Sequence, residues 1–210
     1  MTKKTQDLKF ADLMTAVTSD QIAAMMKTVN GAIDARMEFE HRERPNNDSI
    51  QTKLKAAKTK LVTENAATVI TVTGTDSDFI NRTITEGRRF NIYAVDKMAD
   101  VMQGLKSGIF RNAVNIAVMK SLFQFKVAGV PFTGEAATAA TSNKIKISQA
   151  MNKILVRHDV SAATAPTQTS STMSALQTLG IVENIGNNKF PVWQLTNAPV
   201  VEHIQGVLKA

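Results

Sequence analysis

The chain of 210 residues contains no cysteine. Disulfides, thiolate nucleophiles and cysteine-ligated metals are excluded with it, and so is an extracellular disulfide scaffold. No apolar run approaches the ~18 residues that a membrane-spanning helix needs. The early lysines, Lys3 and Lys4, have no apolar stretch behind them, so no signal peptide is expected and the expected address is the cytoplasm. The three histidines, His41, His158 and His203, are scattered without a metal-ligand spacing. Neither a Gly-x-Ser-x-Gly elbow nor a dinucleotide fingerprint occurs, and Gly104-Leu-Lys-Ser-Gly108 lacks the adjacent Gly-Lys of a phosphate loop. No catalytic centre, metal or cofactor is therefore expected.

Acidic charge is the most informative scarcity. The net charge is +7, yet residues 1 to 100 contribute only +1 and residues 159 to 210 contribute −1. Residues 101 to 158 hold eight basic side chains, Lys106, Arg111, Lys120, Lys126, Lys144, Lys146, Lys153 and Arg157, against the single acid Glu135. A field concentrated in this way attracts polyanions, and nucleic acid is the commonest one inside cells. Apolar residues at 43% and charged residues at 20% otherwise describe an ordinary globular chain, long enough for one large domain or two small ones.

Hydrophobic spacing predicts helices over residues 7 to 17, 20 to 44 and 48 to 64. In the second, Ile22, Met26, Val29, Ile33 and Met37 share one face, and this helix is a candidate for pairing between protomers. In the third, lysines border a narrow seam of Ile50, Leu54, Ala57 and Leu61, the pattern of a core-facing stripe with solvated flanks. Residues 67 to 73, a β-branched run ending at Gly74, read as a strand. Asp76 and Asp78 read as a turn and cap before helices at 77 to 87, 94 to 106 and 109 to 128. The last is apolar on nearly every side, so most of its phenylalanines belong to a core. Arg88, Arg89, Phe90 and Tyr93 follow Gly87 in an expected loop, with Arg82 nearby, and form the better candidate platform for stacked bases.

Residues 148 to 196 carry the one specific signature. A helix ending near His158 is followed by a short helix around 161 to 165, a third helix from Thr169 to Leu179, and Gly180. Ile181-Val-Glu-Asn-Ile185, a Gly186-Asn-Asn turn and a Val192-Trp-Gln-Leu195 strand complete the order. This resembles a winged helix-turn-helix. The resemblance implies a mainly α fold with minor β, divided into a helical domain over 1 to 145 and a winged-helix-like module over 146 to 210. It also implies that Thr169, Ser170, Ser171, Thr172, Ser174 and Gln177 face bases or phosphates, with Asn187, Asn188 and Lys189 in the wing. The third helix, however, has no Lys or Arg, and phosphate neutralisation supplies most DNA affinity. Single-stranded DNA is therefore the favoured partner. A duplex-specific regulator and a non-catalytic adaptor are the alternatives. The chain is also loosely similar to the single-stranded-DNA-binding RNA polymerase cofactors of short-tailed bacteriophages. That likeness implies a role in phage transcription or replication in the host cytoplasm, with RNA polymerase or another protein as partner.

Overall fold

The computed structural model describes residues 9–85 and 88–209, with the side chains of Ile84, Thr85 and Arg88 outside that description. It is mainly α with minor β. The chain opens with α1 (Phe10–Ala16) and α2 (Ser19–Glu43). Thr18 caps α2 through a reciprocal box with Gln21. Then come α3 (Asp48–Leu61), capped by Asn47, and α4 (Glu64–Thr73), capped by Thr63.

The expected strand at 67 to 73 is the body of α4. Its threonines return their hydroxyls to the preceding turn, Thr68 to the Glu64 carbonyl at 2.7 Å and Thr71 to that of Ala67 at 2.8 Å. Ala67, Val69 and Ile70 are buried where α4 packs on α2. Gly74 ends the helix in the left-handed region at φ 65°. A cap, a stop and a buried face outweigh the modest helix penalty of β-branched residues.

The expected helix at 77 to 87 is also replaced. Asp76 Oδ1 accepts from the Asp78 amide in a turn, and the chain then enters a ribbon of β1 (Thr83–Thr85) and β2 (Arg88–Arg89). Asn81 holds the turn down by donating to the Ala32 carbonyl of α2. Two core helices follow, α5 (Ala94–Ser107) and α6 (Ala113–Ala128). Helix α6 starts four residues later than expected because the Asp100 carboxylate accepts from the Arg111 and Asn112 amides, and Asn112 then caps it.

The remaining elements are β3 (Phe132–Thr133), α7 (Gly134–Ala139), α8 (Gln149–Ile154), α9 (Ala165–Thr178), β4 (Val182–Asn184), β5 (Val192–Leu195) and α10 (Pro199–Leu208). The separate short helix expected at 161 to 165 is a turn, in which the Thr164 and Ala165 amides both donate to the Ser161 carbonyl, and α9 starts directly from it. Strands β3, β5 and β4 form an antiparallel sheet in that order, pairing Phe132 with Trp193 and Val182 with Leu195. Because β3 and β5 fall on opposite sides of residue 145, the sheet joins the two expected domains. One apolar core runs through both, from Phe10 to Leu208, with Phe79, Phe90, Phe125, Met98 and Leu176 almost fully enclosed. No helix among the described residues is long and apolar enough to cross a membrane.

Candidate nucleic-acid interface

Charge pairing divides the molecule. All six ion pairs among the described residues lie between Asp34 and Asp96. None involves the eight basic side chains of residues 101 to 158. Lys58 meets Asp34 at 2.7 Å, and Lys53 and Lys60 share Asp96. Desolvation alone pushes the Asp96 carboxyl up, but the bond and charge of Lys60, with Lys53 behind them, outweigh it and hold the group below its ordinary value.

Five of the unpaired basic groups gather around α8. Ser121 of α6 and Val156 exchange hydrogen bonds of 2.9 and 3.0 Å, which ties the segment carrying Arg157 to α6. Lys146 and Arg157 line a shallow cleft of about 470 Å³, Lys144 precedes it, and Lys153 projects from α8. Lys120 is half-buried on the α6 face that carries exposed Gln124 and Val127, while Lys144, Lys146 and Lys153 are exposed. The other three lie elsewhere on this helix pair: Lys106 and Arg111 at the α5–α6 turn, Lys126 at the end of α6, all exposed.

A larger groove, about 870 Å³, lies between the end of α2 and the polar face of α9, closed at one side by the β4–β5 hairpin. Ser170, Ser174 and Gln177 line it from α9, and Asn184, Asn188 and Trp193 from the hairpin. Helix α2 supplies Arg36, Phe39, Glu40 and Glu43 at helical spacing, and its C-cap Arg44 stands beside them. Arg36 and Glu40 are buried, with Nε to Oε1 at 2.7 Å, and Arg36 Nη1 also donates to the Ile80 carbonyl. Burial lowers the Arg36 guanidinium from its ordinary value, and the Glu40 carboxylate recovers part of that shift. Arg89, in β2, lays its guanidinium over the Phe39 ring at 3.8 Å and donates to the Asn81 carbonyl at 2.7 Å.

The expected α9 surface is divided by this packing. Ser170, Ser174 and Gln177 do face the groove. Thr169, Ser171 and Thr172 are buried: Thr169 shares a hydrogen bond with Thr141, Asn91 donates to Ser171, and Thr172 donates to Asn115 at 3.0 Å. Ser171 and Thr172 therefore serve the core and are closed to a nucleic acid, because α9 lies against α5, α6 and α7 over most of its circumference. Phe90 is likewise removed from the expected stacking platform, buried edge-on against Phe79 with centroids 4.9 Å apart. Arg89 reaches the groove, whereas Tyr93 stands apart, exposed, with Lys53 5.7 Å from its ring centre. Arg82 is exposed, 3.5 Å from the Thr178 hydroxyl, and the Arg88 side chain is outside the described residues.

The hairpin tip carries a ring that sequence reasoning missed. Phe190 is 67% exposed and Ile185 59%, with the Lys189 ammonium 5.4 Å from the Phe190 ring centre. The loop is nonetheless well braced. Asn187 Oδ1 accepts from the Lys189 and Phe190 amides, and Asn184 Oδ1 from those of Gly186 and Val192. A side chain at Gly186 would run into the Phe190 carbonyl and sit 2.8 Å from the Val192 nitrogen. Exposed apolar surface on a fixed support marks a contact site more than loose packing. The α2 residues gave no sequence signal, since opposite charges four residues apart look like a solvated helix face.

No group of three or more His, Cys, Asp or Glu side chains arranged to hold a metal occurs among the described residues. No protein-family model, curated protein or solved structure matches the chain.

Proposed function

We propose that the protein is a non-catalytic single-stranded-DNA-binding factor in which the basic cluster around α8 neutralises phosphates while the α2–α9 groove and the hairpin tip receive bases. The observation that carries the reading is the segregation of charge. Acids pair with Arg36, Arg42, Arg44, Lys53, Lys58 and Lys60, and with none of the eight basic side chains of residues 101 to 158 among the described residues. Single-strand binders combine such a cationic track with flat side chains on which bases stack, and Phe190, Trp193 and the Arg89–Phe39 pair offer these. The two regions adjoin at α7, whose Thr138 lines the groove while the Ala139 carbonyl accepts from Arg157.

The winged-helix half of the proposal draws support from element order. The order α6, β3, α7, α9 and a hairpin closing back on β3 is compatible with a winged-helix reading in which residues 140 to 164, α8 among them, are an insertion. On this alignment the module begins at α6. Its third helix does not project, because its polar face is one wall of a groove walled opposite by α2. A helix read by the major groove must stand clear of its neighbours, so the arrangement favours a single strand over a duplex. A role in phage transcription or replication, with RNA polymerase as partner, belongs to the same proposal through the cofactor resemblance alone.

The test uses the single tryptophan. Titration with unrelated single-stranded and duplex oligonucleotides, followed by Trp193 fluorescence and by anisotropy, is expected to show tight, salt-sensitive single-strand binding with quenching. Preference for one duplex sequence would instead favour the regulator. Binding to neither form leaves an adaptor.

A further inference from the structure

We propose that the groove floor selects a base carrying an exocyclic amino group, cytosine being the pyrimidine example, through the carboxylate of Glu40. The inference rests on the single-strand reading. Glu40 is 2% exposed, and its two oxygens are treated unequally. Oε1 accepts from Arg36, whose guanidinium is also committed to the Ile80 carbonyl. Oε2 is buried and has no hydrogen-bond partner. Its neighbouring cation, Arg44 Nη1, stands 3.9 Å away on a side chain that is 56% exposed. Buried polar atoms in folded proteins are nearly always bonded, and a charged one left without a donor is costly.

The chemistry of the open atom defines its complement. An ionised carboxylate only accepts, so it repels a carbonyl or phosphate and receives an N–H. Cytosine, adenine and guanine carry amino groups. Thymine and uracil present a carbonyl where cytosine presents its amine, and their one ring N–H on the pairing edge lies between two carbonyls that a carboxylate repels. The flat surfaces for such a base are in place, with the Arg89 guanidinium against Phe39 on the α2 side and Trp193 across the groove. Oε2 has almost no accessible area, so a base reaches it when Arg44 swings aside. Arg44 then takes a strand phosphate in place of the carboxylate. A long, mostly exposed side chain makes that exchange with little loss of packing.

The experiment compares oligo(dC) and oligo(dU) of equal length by anisotropy with the intact protein, then repeats the comparison with Glu40→Gln. The intact protein is expected to bind oligo(dC) about tenfold more tightly, the size of one hydrogen bond to a charged group. Glu40→Gln, checked for folding by circular dichroism, is expected to bring the two affinities together, since its amide can donate to the uracil carbonyl. Replacing cytosine by N4,N4-dimethylcytosine removes the donor without altering the protein and is expected to cost the same factor, whether or not the variant folds. Equal affinities of the intact protein for both oligonucleotides would overturn base selection and leave strand binding standing. A folded Glu40→Gln protein that keeps the preference, or full binding of the dimethylated strand, would also overturn it. Binding to no single strand overturns this inference together with the proposed function.

Discussion

Removing Lys144 and Lys146 together by alanine substitution isolates the phosphate-neutralising role of the basic cluster from the fold. Both side chains are exposed and neither forms an ion pair, so stability should stay within about 0.5 kcal/mol of the parent. If Lys120, Lys144, Lys146, Lys153 and Arg157 each meet one phosphate, the log–log salt dependence for a single strand has a slope of about −3.5. Between 50 and 200 mM salt that slope is a loss of affinity of about 100-fold. With two contacts gone the slope falls to about −2.1 and the loss over the same range to about 20-fold. The assay is Trp193 fluorescence or anisotropy at four or more salt concentrations, with thermal melting of both proteins as the folding control. A double variant that binds with an unchanged slope would place the strand elsewhere and refute the argument from the α8 cluster.

Glu40→Ala leaves the buried Arg36 guanidinium without its counter-charge and is expected to cost about 3 to 5 kcal/mol in denaturant unfolding. Phe190→Ala should leave the melting temperature nearly unchanged, since the ring is exposed, while weakening single-strand binding by roughly 1 to 3 kcal/mol if a base stacks there. Gly186→Ala has no space for its methyl group and is expected to destabilise by about 1 to 3 kcal/mol, seen as a shift in the unfolding midpoint. The Asp96 carboxyl, held by Lys60 and Lys53 below its ordinary 3.8, titrates at lower pH than a free aspartate in carboxyl-carbon NMR. Because the folded value is the depressed one, its stabilising contribution is present above the unfolded value and disappears as pH falls through the folded value. Lys60→Ala should move that titration upward, and an unmoved titration would mean that the ion pair does not form in solution.

Local sequence signals were reliable where they were redundant. The α2 stripe keeps one face over residues 22 to 37, and the β4–β5 hairpin has two apolar runs joined by the Gly186-Asn-Asn turn, with Gly180 at φ 67° closing the segment before β4. Met173, Leu176 and Leu179, spaced for the core side of α9, are all buried. Where a single signal stood alone it misled. β-branching over 67 to 73 suggested a strand, yet helix formation returns the threonine hydroxyls to backbone carbonyls and buries Val69 and Ile70 on α2. The polar run Thr169 to Thr172 suggested an exposed face, whereas three of those four side chains are buried, one bonded to Asn115 and one to Thr141.

The amino-acid sequence by itself determined the mainly helical character, the excess of cations in one segment and the hairpin, because periodicity, charge balance and turn chemistry are local properties. Tertiary structure alone decided that β3 and β5 join both halves in one sheet around one core. It also brought Arg36, Phe39 and Glu40 of α2 opposite Ser170 and Gln177 of α9, and left one buried carboxylate oxygen without a donor. The strand pairing connects residues about 60 positions apart, and the α2–α9 groove connects residues more than a hundred apart. They arise from how apolar faces satisfy one another across the core, and no window of sequence contains that information.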